Sequence, residues 1–473
     1  MSRRISNKNN IRSWTLRLVG FIEFAALLCV PAFAGTNYIL EVKGSSLKPV
    51  LSAYGLSLQR QIFSSPLVTV GVVSIPDGAP SSLASSVAQD QNVVKFQADR
   101  HLASKAPKVP SFTAGFAGTQ AWLLSLQSSQ QKVNSFLTQP ALGLIGSSTG
   151  NKGAGVTVAV IDTAVDPNHP AYAGKLLAGA DCVGSTSVSS CAGEITSVWH
   201  DPTVTASLDQ STVIILDQST VIILDQSTVI ILDQSTVIIL DQSTVIILDS
   251  NGAAAVQGKQ LPADFGHGTM VASLISATAP NAKILPIRAF NADGSSQLSD
   301  IVAAIYYAVD KGAKVINMSF DIDTNDPTLA DAIATATAHG VICVASTANV
   351  SSNAAVYPAA YNSANQSVIG VGSVDSNTGL FRSSFSGYGS ASVDAYAPGE
   401  NLIAAYPGNH FAVVSGTSFA TALTSGVAAV VESTKSSNLT NYVGAITKSG
   451  SPIVFPYDGT RLVNAKSALK NIQ

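Results

Sequence analysis

The stretch Val156-Thr157-Val158-Ala159-Val160-Ile161 carries almost nothing polar on either side, and it ends in Asp162. A strand written this way has no face suited to water, so it belongs in a parallel sheet covered by helices on both sides. Strand-like runs recur at Lys283 to Ile287, Lys314 to Met318, Val341 to Ala345 and Ser367 to Val371. Between them, Leu298 to Lys311 and Thr328 to His339 have helical spacing. The alternation predicts an α/β fold, a mostly parallel sheet with helices on both faces, from about residue 151 to residue 473.

The chain ahead of that point reads as three segments. Arg3, Arg4, Lys8, Arg12 and Arg17 precede an apolar run from Leu18 to Ala34 that ends Ala32-Phe33-Ala34. That order is the one found in cleaved signal peptides, so residues 1–34 are expected to direct export and to be removed after Ala34, an uncleaved signal anchor being the alternative. Residues 35–105 look like a small α+β domain. Strands are expected at Tyr38 to Val42, Leu67 to Ile75 and Val93 to Phe96, with helices at Leu47 to Ile62 and Ser81 to Ala88. Residues 106–150 hold Pro, Ser, Gln and Gly around a helix expected from Gln120 to Phe136, and read as a linker and the N-terminal part of the mature chain, leading into the main domain.

Charged residues are only 12% of the chain and the net charge is -3, which argues against a nucleic-acid partner. Mean hydropathy is +0.30, yet no segment after the signal has the roughly 18 uninterrupted apolar residues of a spanning helix. A secreted or periplasmic monomer follows as the expectation. Cys182 and Cys191 flank a Ser/Gly/Thr-rich segment and are candidates for a small surface disulfide, while Cys343 lies in an apolar strand and reads as an inert core thiol.

The octapeptide Asp-Gln-Ser-Thr-Val-Ile-Ile-Leu occurs five times unchanged from Asp209 to Leu248. Its β-branched centre disfavours helix, and its even period holds each position on one strand face. An insertion tolerated in a surface loop is one reading; an adhesive or assembling ribbon is the other.

Three segments carry chemistry. Asp162 ends the apolar strand, His267 lies in Gly266-His267-Gly268-Thr269, and Ser418 lies in Ser415-Gly416-Thr417-Ser418-Phe419-Ala420. A serine hydroxyl needs a base to become nucleophilic, histidine suits that task near neutral pH, and a carboxylate fixes the histidine's tautomer. Each segment alone is a common cap or turn. The order Asp, His, Ser makes the combination specific.

On these residues the stretch from about Ala154 to Leu469 resembles the catalytic domain of subtilisin-family serine proteases, over about two thirds of the chain. Val315-Ile316-Asn317-Met318-Ser319, Asp293-Gly294-Ser295-Ser296-Gln297, Tyr357-Pro358-Ala359, Ala397-Pro398-Gly399 and Asn464-Ala465 are similar to further family segments. The resemblance implies Asp162 as orienting carboxylate, His267 as base and then acid, Ser418 as nucleophile and Asn349 as oxyanion donor. It implies substrate contacts at Gly294, Ser295 and Ser296 on one wall and at Ser319, Phe320 and Asp321 on the other. Residues 37 to about 105 resemble the family's propeptide, which inhibits until it is cut away.

The departures are as informative. Ala164 and Ala348 stand where the family usually has glycine, and Met270, Phe419, Ala422 and Leu423 replace its usual residues beside the histidine and serine. Ser319-Phe320-Asp321-Ile322 lacks the paired glycines of the family's cleft strand; Asp321 and Asp323 are either a preference for basic substrate residues or a solvated surface. No cofactor and no metal are expected. The family's strongest calcium site is expected to be absent, because Ala171 takes its aspartate position and Leu274 to Pro280 runs on without the usual loop. The reading is a secreted serine endopeptidase made as an inactive preproprotein and acting on polypeptides. A catalytically weak relative whose repeat serves adhesion or assembly is the second hypothesis.

Overall fold

The computed structural model describes residues 37–102, 129–147, 152–184, 191–195, 246–247, 264–362, 368–454 and 459–472. The expected signal peptide, most of the linker and all of the repeat except Ile246 and Ile247 lie outside the described residues.

Residues 37–98 form an antiparallel sheet with two short helices: β1 (Asn37–Lys43), α1 (Lys48–Tyr54), β2 (Ser57–Ser64), β3 (Val68–Ser74), α2 (Leu83–Ala88) and β4 (Val93–Ala98). The strand order is β2-β3-β1-β4. Strand alternation divides β1 between two cores. Tyr38, Leu40 and Val42 pack with Leu47, Val50 and Val87 inside the unit, whereas Ile39, with Ile62, Val70 and Val72, joins the core of the main domain. The single helix expected over 47–62 is instead a helix and a strand. Gly55 caps α1 at φ +64, a left-handed turn open to glycine, and the chain leaves extended.

A two-residue strand, β5 (His101–Leu102), follows. Helices α3 (Ser129–Thr138) and α4 (Pro140–Leu144) come next, and Phe136, Leu142 and Ile145 are buried in the main core. This part of 106–150 packs on the main domain. The buried Gln139 amide bonds the backbone of Ile403 in both directions, at 2.9 and 3.0 Å.

The main domain runs β6 (Thr157–Asp162), β7 (Gly179–Asp181), β8 (Ala192–Ile195), β9 (Ile246–Ile247), α5 (His267–Thr278), β10 (Lys283–Arg288), β11 (Ser296–Gln297), α6 (Leu298–Asp310), β12 (Val315–Met318), α7 (Pro327–Ala338) and β13 (Ile342–Ser346). It continues with β14 (Val368–Val374), β15 (Ala395–Pro398), β16 (Leu402–Tyr406), β17 (His410–Val414), α8 (Thr417–Glu432), α9 (Leu439–Thr447), β18 (Arg461–Leu462) and α10 (Ala465–Asn471). Among the described residues nine strands make one sheet in the order β18-β15-β14-β13-β12-β6-β10-β7-β8, parallel except for the antiparallel β7–β8 pair. The α/β reading holds, and the apolar run ending in Asp162 sits between β12 and β10 as its composition requires.

Helices α5 and α8 contribute to the core on one face of the sheet, and α6 and α7 to the core on the other. Helix α8 is buried almost all round, from Thr417 to Val431, with Ser418 the exception. Asp326 caps α7 by accepting from the Thr328 and Leu329 amides. Cys182 and Cys191 are joined, and the bridge is buried rather than superficial. Cys343 is free and buried, with its thiol pushed up to about 12 by burial. Strand β9 pairs antiparallel with β17, which β16 flanks on the other side. Among the described residues no helix is long and apolar enough to cross a membrane.

Candidate active site

Asp162 stands at the carboxyl end of β6, where open α/β sheets gather their ligand sites. One of its oxygens accepts the Thr163 amide at 2.7 Å. Helix α5 starts against this strand end because Gly268 has no side chain: a Cβ there would meet the Thr163 carbonyl oxygen at 2.4 Å. The Gly268 amide also donates to the Thr163 hydroxyl at 3.0 Å. That close start brings His267 Nδ1 to 2.8 and 3.0 Å from the two Asp162 oxygens.

Burial opposes a charge on His267, but Asp162, through its charge and its hydrogen bond, and then Asp264 outweigh it and lift the imidazole to about 9. The ring keeps 17% of its side chain exposed and lies 5.7 Å, centroid to centroid, from the ring of Phe419. Phe419 directly follows Ser418.

Ser418 is the second residue of α8, and its hydroxyl donates to the Ser319 carbonyl at 3.3 Å. The Ser319 hydroxyl in turn donates to the Ser418 carbonyl at 2.9 Å. Asn317 ties this exchange to both elements, donating to the Ser319 hydroxyl and accepting from Ser425 further along α8. Helix α8 is thereby pinned to the end of β12.

Asn349 lies just beyond β13. Its side-chain oxygen accepts both the amide of Thr417, at 2.8 Å, and the Thr417 hydroxyl, at 3.0 Å. With the oxygen held, the amide nitrogen is the group left to donate, and it lies beside Gly416, one residue before α8. Ala348 takes a left-handed φ of +63, a conformation that glycine adopts without steric cost.

The residues expected to line the substrate lie in two segments. Gly294 turns at φ +76, Ser295 bonds Asp293, and Ser296 opens β11. An extended piece of the chain itself already lies on that segment: Leu102 pairs with Ser296 and His101 with Gln297, antiparallel. In the other segment Ser319 is buried, the Phe320 ring sits 5.0 Å from that of Phe290, and Asp321 is exposed.

The calcium position does not suit a hard cation, which takes oxygen ligands. Ala171 presents a methyl group, and α5 continues to Thr278 without an inserted loop.

Sequence reading missed Thr417 and Asp264. Thr417 holds Asn349 in place, and its adjacency to Ser418 was the available signal. Asp264 raises His267 from three residues upstream, a relation that only the turn 264–267 creates, where the His267 amide donates to the Asp264 carbonyl at 3.1 Å.

The fold and site define a class: a helix-covered parallel sheet with a strand-end aspartate on a histidine, beside a serine that opens the central helix. The subtilase family model matches residues 153–447, more than half of the chain, and the chain belongs to that family. It is 40% identical over 183 residues to "Thermophilic serine proteinase" of Bacillus sp. (strain AK1), covering 37% of this chain and 44% of that protein. It is 35% identical over 234 residues both to "Alkaline protease" of Alkalihalobacillus alcalophilus and to "Subtilisin BL" of Lederbergia lenta. Those matches take in 46% of this chain, with 59% of the first protein and 83% of the second. The chain thus spans about half the length of the first two relatives.

Proposed function

We propose that the chain is a secreted serine endopeptidase made as an inactive precursor. The observation that carries this reading is the Asp162–His267 pair, whose imidazole lies against the ring of Phe419, the residue after Ser418, with β11 occupied by the chain's own β5.

Ser418 Oγ attacks the substrate carbonyl while His267 Nε2 takes its proton, and Asp162 holds the proton on Nδ1. The Asn349 side-chain amide and the Ser418 backbone N–H receive the charge that develops on the carbonyl oxygen. His267 then returns the proton to the leaving amine, and water resolves the acyl-enzyme. Extended substrate pairs with β11 and lies along Ser319–Asp321, as β5 does on the β11 side.

Residues 37–102 act in this reading as the propeptide. They block β11, and their sheet rests on α6 and α7 through the buried Arg60–Asp300 pair and through Arg100–Asp326 and Lys95–Asp331. Calcium is not required at Ala171. Export through residues 1–34 precedes these steps.

The test compares residues 35–473 with a Ser418→Ala version, by intact mass and by hydrolysis of an unstructured protein. Loss of the N-terminal unit and digestion by the parent alone are the expected result. If both folded proteins stay full length and inactive, the reading fails.

A further inference from the structure

Strand β1 runs between β3 and β4, and its alternation turns Ile39 and Glu41 toward α6 and α7. Glu41 is 6% exposed there, and its Oε2 has no hydrogen-bond partner among the described residues. Lys95 is its cross-strand neighbour on β4, yet the Lys95 ammonium is bonded to Asp331 and to the Pro327 carbonyl of α7. The Tyr306 phenol of α6 also feels the Glu41 charge. One cation thus serves two carboxylates, and it is bonded to the other one.

A buried carboxylate oxygen without a donor is better accommodated as the neutral acid. We propose that Glu41 takes up a proton as the N-terminal unit seats on α6 and α7, making this face a proton-coupled latch that loosens as the pH rises. The proposal rests on the reading of residues 37–102 as a removable inhibitory unit.

Burial, and then Asp331, raise the Glu41 pKa in the seated unit, while Lys95 lowers it. Separation returns Glu41 to water and to its ordinary value. Below that ordinary value Glu41 carries its proton in both states and the grip is complete. As the pH climbs through the raised value the seat must bury a charge or open, and the grip falls by at most about tenfold per pH unit for one proton.

A second cluster on the same seat points the same way. Arg60 bonds Asp300, and Asp99 caps α6 through the Ser299 amide and hydroxyl. Burial raises Asp99, and takes Asp300 to about 6 against the pull of Arg60. Release and the neutral imidazole of His267 are therefore both favoured by rising pH.

The test uses the uncut Ser418→Ala precursor, so that its outcome does not depend on self-processing, which the mass experiment reads separately. Amide exchange is followed from about pH 5 to about pH 9, corrected for intrinsic rates, at Leu298, whose amide donates to Arg100 across the seat at 2.9 Å. Protection is expected to fall with pH by up to about tenfold per unit in the parent, and less steeply in Glu41→Gln, where only the Asp99–Asp300 cluster still takes up protons on seating. Asp331→Asn, which removes the like charge facing Glu41, is expected to show a shallower fall and carries the test if the glutamine variant does not fold. Equal slopes in the parent and in the folded variants overturn the proposal, as does a level parent.

Discussion

Two buried acid–base pairs of nearly equal length do opposite work in this molecule. Asp162–His267 is 2.8 Å and Arg60–Asp300 is 2.9 Å. Each has an almost fully buried aspartate, with side chains 4% and 5% exposed. The difference lies in the bases. His267 keeps an exposed edge in the cleft and can give up its proton, whereas Arg60 is 4% exposed and stays charged at any ordinary pH. The first pair is suited to proton transfer and the second to holding two pieces of chain together. Pair geometry alone distinguishes nothing; access and the base's own chemistry decide.

The comparison breaks most severely at Asp162. Asp162→Asn keeps the shape but favours the wrong tautomer of His267, and kcat/KM is expected to fall by about 10⁴-fold with folding intact, a magnitude carried over from triad proteases in general. On the other side, Arg60→Met leaves Asp300 buried without its cation. Denaturant unfolding of the uncut Ser418→Ala precursor should show a loss of about 3–5 kcal/mol, with little change in the processed enzyme's kcat.

A smaller effect sharpens the contrast in bases. Because the base must be neutral, kcat/KM should rise as pH climbs through about 9, and Asp264→Asn should move that limb to lower pH. Stability runs the other way: the imidazolium's contribution is complete below its ordinary 6.5 and is lost as pH rises through about 9, which a pH series of melting temperatures reads. The smallest effect is local. Ala348→Gly relieves a left-handed alanine beside Asn349 and should add up to about 1 kcal/mol, seen as a higher melting temperature.

Much of this was legible in the sequence, and the reasons are particular. The strand ending in Asp162 announced a parallel sheet because it had no polar face. The segments around His267 and Ser418 announced chemistry through their glycines and their order. Residues 57–62 differ from the expected helix because the helical spacing of the preceding apolar residues does not carry through Gly55; the alternation that buries Arg60 and Ile62 takes over there. Arg60 and Asp300 lie 240 positions apart and contact only through the seating of one sheet on two helices, so no local pattern could pair them. The burial of the Cys182–Cys191 bridge also depends on that seat, where the Cys182 carbonyl accepts from Arg60 at 2.9 Å.

Helix α8, with nearly every residue inside the core, has a consequence for lifespan. A peptidase in solution is surrounded by copies of itself, and the segments lost first to self-digestion are those that fray without disturbing the rest. The segment bearing Ser418 cannot be offered to another molecule's cleft unless the central sheet comes apart with it. Inactivation by self-cutting at this helix should therefore follow the rate of global opening, so that substitutions stabilising the whole domain prolong working life even when they leave each turnover unchanged.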